Sequence, residues 1–299
     1  MKKLPLVFSG CLLGLAGAGN LILDTLPVLS HLLSLAGLIL LIYFLILHLF
    51  NWKETKQELT KPPLLSGMAT FPMAGMILST YVFRVFPQLP LVAQGIWWFS
   101  FLLDLALIAG FTIKFACPGR RVHATPSWTV LYVGIAVAAL TYPLVGIIEI
   151  AYATLGFGFL LTFYLYPLIY SDLKKYPLPL AMLGQEGIYC APFSLLLASL
   201  VRVGGGNLPT WLLIVMILAS QSFFFFVLTR LPNILKQGFQ PAFSALTFPT
   251  ISTATSLKMA QGILKLPFLD YLVLAETIIC LTILFFVLGT YLIWLRKKV

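Results

Sequence analysis

Charge is scarce in this sequence: Asp, Glu, Lys and Arg make up 9% of its 299 residues, against roughly 25% in a soluble domain. A water-exposed globular surface is excluded. Cysteine and histidine are as thin, at 4 and 3 residues. Cys11, Cys190 and Cys280 fall inside apolar stretches and Cys117 in a basic loop, with no C-x-x-C pair, so neither a disulfide framework nor a thiolate metal site is indicated. His31, His48 and His123 lie in different segments and none belongs to an H-E-x-x-H run. No metal and no cofactor is expected. Alternation of apolar and polar residues is also missing, which excludes a β-barrel.

Apolar sequence fills the space these absences leave. Hydrophobic residues make up 60% of the chain and the mean hydropathy is +1.01. A span needs about 20 apolar residues, and ten candidates stand out: 5–23, 30–50, 64–83, 92–114, 127–143, 147–170, 187–203, 209–229, 242–261 and 270–295. No connection is long enough to fold separately. The fold expected is all-α and polytopic, one transmembrane domain over 1–299. Lys2-Lys3 followed by an apolar run is similar to a signal peptide, and Ser9-Gly10-Cys11 to a lipoprotein cleavage site. The run continues to about Ile22, past a usual h-region, and is read as a first retained span.

The odd-numbered spans begin at 5, 64, 127, 187 and 242, a period of about 60 residues. Five helical hairpins, each burying its contact face only against its neighbours, give such a period. The basic residues cluster on one set of connections: Lys2, Lys3, Lys53, Lys56, Lys61, Lys114, Arg120, Arg121, Lys174, Lys175, Arg230, Lys236, Arg296, Lys297 and Lys298. The other set holds only Arg84, Arg202, Lys258 and Lys265. This asymmetry predicts a multi-pass protein of the plasma or inner membrane with both termini cytoplasmic. The net charge of +10 is then a topology signal, and no folded basic surface for nucleic acid is implied.

The two classes of span differ. Even spans such as 30–50 and 209–229 are aliphatic and aromatic almost throughout, as lipid-facing helices are. Odd spans carry small residues, hydroxyls and prolines: Gly14 in the first, Gly67 and Thr70 in the third, Gly134 in the fifth, Pro192 and Ser194 in the seventh, and Ser244, Thr247, Ser252 and Thr255 in the ninth. An inner ring of odd helices inside an outer ring of even ones explains this, with those residues lining a pore. Close helix packing favours the same residue types, and both readings stand on sequence alone.

The tripeptide Thr70-Phe71-Pro72 recurs as Thr247-Phe248-Pro249. A proline within a helix removes a backbone bond and clashes with the carbonyl four residues back, so kinks are expected at Pro72, Pro192 and Pro249. Ser244, Phe248, Ser252 and Thr255 share one face of the ninth helix. Phe248 is either a ring in a polar lumen or an ordinary core aromatic, and Phe71 is the parallel candidate for a second constriction. Of the ionisable residues, Asp104 and Glu276 lie in even spans and Glu149 and Glu186 at span ends. The middles of the odd spans carry no Asp, Glu, Lys, Arg or His, which argues against a proton relay, paired-carboxylate catalysis and a cation-selecting carboxylate ring. Ser and Thr abound there without a base beside them, so no catalytic residue is assigned and no enzyme is expected.

Tyr164-Leu165-Tyr166-Pro167-Leu168-Ile169-Tyr170, Pro126-Ser127-Trp128 followed by Val133-Gly134-Ile135, Ala191-Pro192, and Phe243-Ser244-Ala245-Leu246-Thr247-Phe248-Pro249 together resemble the TehA and slow-anion-channel family, also named the tellurite-resistance/dicarboxylate transporter family. The resemblance runs along nearly the whole chain. It departs at Ala242-Phe243, where members often carry paired tryptophans. It implies a homotrimer with a pore in each protomer, lined by the five odd helices and occluded by Phe248. It also implies passage of small anions such as chloride, nitrate or short carboxylates. The competing function is a proton-coupled carrier or exporter of C4-dicarboxylate, sulfite or tellurium oxyanions, with Asp104, Glu149 or Glu186 as coupling group.

Overall fold

A computed structural model describes residues 4–117, 119 and 121–297. The basic residues Lys2, Lys3, Arg120 and Lys298, counted above for topology, lie outside the described residues, as does the side chain of Lys297. Helix dominates the description: α1 (Ser9–Leu21), α2 (Pro27–Phe50), α3 (Trp52–Glu58), α4 (Pro62–Gly67), α5 (Thr70–Val85), α6 (Pro90–Phe111), α7 (Ser127–Val133), α8 (Val137–Thr141), α9 (Ile148–Lys175), α10 (Ala191–Gly204), α11 (Thr210–Lys236), α12 (Thr247–Leu264) and α13 (Pro267–Lys297).

Among the described residues, eight helical stretches are long and apolar enough to cross a membrane. The first apolar stretch, Leu6–Leu21, is shorter. Helix α12 is not among the eight either: Lys258, Gln261 and the hydroxyls of Thr247, Thr250, Ser252, Thr253, Thr255 and Ser256 dilute its apolar content. Burial separates the stretches into two populations. Pro62–Val85, Ser127–Leu144 and Leu180–Asn207 are 72%, 72% and 61% buried, whereas α2, α9, α11 and the stretches Pro90–Ala116 and Pro267–Arg296 are only 28–39% buried. The long helices turn rows of large apolar side chains outward, among them Leu32, Ile39 and Ile46 on α2 and Phe225 and Phe226 on α11. Such faces are stable only against hydrocarbon.

Proline sets where the outer helices start. α2, α6 and α13 open on Pro27, Pro90 and Pro267. The fixed φ suits the first turn, and the missing N–H has no partner to lose there. Helix α2 therefore begins three residues before the expected position 30. α11 in turn runs past the expected end at 229 to Lys236, through Pro232. Between α8 and α9 the chain reverses through Gly146 at φ 74°, a left-handed conformation that glycine adopts without steric cost.

Both ends of the described chain reach one face. The rings of Phe8 and Tyr291 meet edge-on with centroids 5.0 Å apart, and the Tyr291 hydroxyl donates to the Pro241 carbonyl. We call this the terminal face and the opposite one the far face. At the terminal face two bidentate ion pairs anchor the connections. Arg121 meets Asp172 at 2.7 and 3.3 Å, with the Ala124 N–H adding 2.7 Å to the same carboxylate. Arg230 meets Glu186 at 2.9 and 3.0 Å. The hydrogen bond from Arg121 to Asp172 holds that guanidinium above its already high ordinary pKa.

Candidate functional site

Five segments share an interruption: each is broken or changes helix type partway through the bundle, whereas among the outer helices only α6 changes type among the described residues, passing into a π-helix at its end, Thr112–Ala116. A 3₁₀ turn at Leu6–Phe8 leads into α1. Helix α4 stops at Gly67 and α5 restarts at Thr70. α7 passes through a 3₁₀ turn at Gly134–Ala136 before α8. The 3₁₀ helices Leu180–Cys190 and Pro241–Leu246 run into α10 and α12.

The prolines explain three of these junctions, and they correct the expectation of kinks within continuous helices. Pro72, Pro192 and Pro249 are the third, second and third residues of α5, α10 and α12. In a first turn the absent N–H costs nothing, and the strain of an interior proline is relieved by rewinding the preceding residues. The carbonyls left at the junctions find local donors. Phe71 N–H reaches Met68 O at 2.9 Å, the Thr70 hydroxyl Gly67 O at 2.9 Å and the Ser194 hydroxyl Cys190 O at 2.5 Å.

Hydroxyls then join the five segments to one another. Ser9 Oγ lies 2.6 Å from Thr70 Oγ1, and Ser66 Oγ donates to Ser127 Oγ at 2.7 Å. Ser199 Oγ donates to Ala136 O at 2.9 Å, Ser194 and Ser252 Oγ are 2.8 Å apart, and Thr247 Oγ1 donates to Gly10 O at 2.9 Å. Followed in order, these contacts pass from first segment to third, fifth, seventh and ninth and return to the first.

Inside this circuit lie two small cavities. One, of about 70 Å³, opens toward the terminal face and draws on all five segments; Gly10, Gly67, Thr70, Gly134, Pro192, Ser244 and Pro249 line it. The second, of about 30 Å³, is lined by Gly17, Asn20, Ile77, Leu140, Leu195, Ala198, Phe248, Ser252 and Thr255. Phe248 and Leu195 line both. They are 5% and 3% exposed and are the residues the two linings share. Beyond the smaller cavity, Asn20, Ile77, Leu140 and Thr255 also border a third space of about 690 Å³ at the far face.

Gly17 explains how the Phe248 ring is seated. A Cβ at position 17 would stand 3.1 Å from Phe248 Cδ2 and 3.2 Å from Ile251 Cγ2, tighter than ordinary contact, so any side chain there makes the ring or Ile251 give way by a few tenths of an ångström. Sequence alone marks neither Gly17 nor Leu195 for this role. Gly17 is one of several glycines in its span, and nothing distinguishes Leu195 from Leu196 and Leu197.

Other residues expected at a lumen are elsewhere. Thr247 is fully buried, bonded to Gly10 O and Ser244 O. Gly14 faces it: a Cβ there would meet Thr247 Oγ1 at 2.8 Å. Ser194 is fully buried between α10 and α12. Phe71, the candidate second constriction, stacks on Phe44 of α2 with centroids 5.7 Å apart and borders an outer groove with Leu41, Phe99 and Ser100. Pro72 lines neither inner cavity.

Among the described residues, none that is charged lines either inner cavity. Asp104 is fully buried on α6, its carboxylate without a hydrogen-bond partner among the described residues. Glu276 is buried on α13, Glu149 is exposed, and Glu186 is engaged by Arg230. The aromatic run on α9 has a supporting part: Tyr166 donates its hydroxyl to Tyr189 O at 2.5 Å and fixes the segment leading into α10.

No individually curated protein matches the chain. The sequence pattern described as voltage-dependent anion channel matches residues 3–292, a range that takes in all five broken segments and all but the last residues of α13 among the helices around them. The chain therefore belongs to the voltage-dependent anion channel family, and it is a multi-pass membrane protein of the anion channel and transporter class.

Proposed function

We propose that the chain crosses the membrane ten times as five helical hairpins, that the odd segments form an inner ring around an anion pore, and that Phe248 closes it. The observation that carries this reading is the pair of uncharged cavities built from the same five segments and sharing Phe248 and Leu195 in their linings. An apolar constriction stops ions by excluding their water, and a phenyl ring adds a slightly positive edge that tolerates an approaching anion.

The lining suits passage better than storage. Ser244, Ser252 and Thr255 each donate to a carbonyl one turn back, at 3.1, 2.8 and 2.8 Å. Their protons are engaged, so they soften dehydration without forming a deep anion trap, as conduction requires. Asp104, Glu149 and Glu186, the coupling groups a proton-driven carrier needs, border none of the three spaces. Small anions such as chloride, nitrate and short carboxylates are the proposed substrates. The long helices face lipid, three copies form the assembly with one pore each, and both termini lie in the cytoplasm of a plasma or inner membrane.

Reconstitution into liposomes tests this. Currents should reverse at the potential set by the anion gradient and ignore an imposed pH gradient. Transport driven by a proton gradient would replace the channel reading with the carrier.

A further inference from the structure

The third space, at the far face, is the only one of the three that bears charge, and its charges come from different connections. Arg84 at the end of α5, Arg202 near the end of α10 and Lys258 on α12 all border it, as does Asp24. The far-face connections carry few basic residues in all, yet three of them meet in this one space. Lys258 Nζ donates to Leu21 O at 2.8 Å and to Asp24 Oδ2 at 3.0 Å. Arg84 Nη2 donates to Asn20 Oδ1 at 3.1 Å. Arg202 is exposed and has no ion-pair partner among the described residues. One carboxylate therefore faces three cations.

We infer that this mouth is an anion-capture site, in which Arg84, Arg202 and Lys258 hold a small carboxylate or oxyanion, and that Asp24 is a tethered competitor which the arriving anion displaces from Lys258. The inference rests on the pore reading above. The geometry of release supports it. The Asp24 side chain is 76% exposed while that of Lys258 is 30% exposed, so the carboxylate can swing into water while the ammonium stays, held by the Leu21 carbonyl. An exposed pair of this kind is weak and readily exchanged. The captured anion also has a route inward: Asn20, which holds Arg84, and Thr255, one turn before Lys258, border both the mouth and the small cavity behind Phe248. Low-dielectric walls around like charges concentrate counter-ions at such a mouth.

The test is current against succinate or chloride concentration, applied from each side of the membrane in turn at low ionic strength. Asp24→Asn should lower the half-saturating concentration severalfold from the far side only. Arg202→Gln and Lys258→Gln should each raise it severalfold, and size-exclusion profiles matching the wild type establish that the variants are folded. An unchanged half-saturation in Asp24→Asn, or equal effects from both sides, overturns the inference while leaving the pore intact. A protein that carries no current but whose succinate-dependent thermal stabilisation in detergent rises with Asp24→Asn keeps the capture site and removes the pore. The series is repeated in liposomes with and without anionic lipid. Shifts that persist in zwitterionic lipid assign the cations to the free anion, and shifts seen only with anionic lipid assign them to a headgroup and overturn the proposal.

Discussion

On the two sides of Phe248 the same segments build unlike spaces. Toward the terminal face the cavity is narrow, about 70 Å³, and uncharged; toward the far face it widens to about 690 Å³ and gathers Arg84, Arg202, Lys258 and Asp24. The difference follows from backbone. On the terminal side the segments run as 3₁₀ helix or broken turns, Leu180–Cys190 and Pro241–Leu246 among them, and close approaches such as Gly10 on Ser244 and Gly184 on Ala242 leave little room. On the far side α1, α5, α10 and α12 are regular α-helices; Arg84 and Arg202 sit in the last turns of α5 and α10, Lys258 lies within α12, and Asp24 just follows α1. In the proposed reading, discrimination by size and dehydration falls to the first region, and attraction to the second.

The partition itself is the first place to break this contrast. Phe248→Ala removes the ring that separates the two spaces. Anion conductance should rise by about tenfold or more, equivalent to at least ~1.4 kcal/mol of barrier, measured as current in planar bilayers. An unchanged current in a folded variant would remove Phe248 from the gate. Leu195→Ala, which trims the other wall, should give a smaller rise.

Gly17→Val should act in the opposite sense. The added branches occupy the seat of the Phe248 ring against α1 and drive the ring into the lumen, so conductance should fall about threefold to tenfold, ~1 kcal/mol of barrier. The effect must vanish in the Phe248→Ala background, because there is no ring left to displace. Equal losses in both backgrounds would mean that the Gly17→Val substitution damages the helix packing instead.

The charged mouth sharpens the contrast through salt. Arg202→Gln should reduce anion current about twofold to threefold at 0.01 M salt, where the screening length is about 30 Å, and have little effect at 1 M, where it is about 3 Å. Phe248→Ala should show no such salt dependence, since the inner cavities carry no charge. A Phe248 effect that scales with salt would erase the division between a region that attracts and a region that selects.

The two regions are not equally legible in sequence. The period of about 60 residues and the hydroxyl-rich odd spans are properties of composition, and they survive any local change in winding. The line Ser244, Phe248, Ser252 and Thr255 is legible because residues spaced three and four apart share a helix face. The fate of Thr247 and Ser194 is not. A small hydroxyl faces a lumen or a neighbouring segment equally well, and the rotation of α10 and α12 that decides it is set by glycines on other segments, Gly14 for Thr247. Phe71 misleads for a related reason: its tripeptide repeats that of Phe248, but the partner waiting for it is Phe44 on an outer helix. The convergence of Arg84, Arg202 and Lys258 is hidden because the three belong to three separate connections.

The hydroxyl circuit yields the smallest expected effect. Ser199 and Ser194 are fully buried, and each bonds to an adjacent segment, Ala136 O and Ser252 Oγ respectively. In a membrane protein such a contact averages ~0.6 kcal/mol, because the unfolded chain in lipid also finds partners. Ser199→Ala leaves the Ala136 carbonyl with one acceptor site unfilled and should lower the thermal unfolding midpoint in detergent slightly, with single-channel conductance unchanged. Ser194→Ala should behave alike, as the Cys190 carbonyl also loses its donor. The double variant is the informative one. If the contacts act as links of one circuit, its destabilisation departs from the sum of the two singles, and if they are independent fastenings between neighbouring segments it equals that sum. Conductance that changes with either serine, at unchanged stability, would move these hydroxyls from the wall between segments into the lumen and dissolve the distinction between what shapes the pathway and what holds it together.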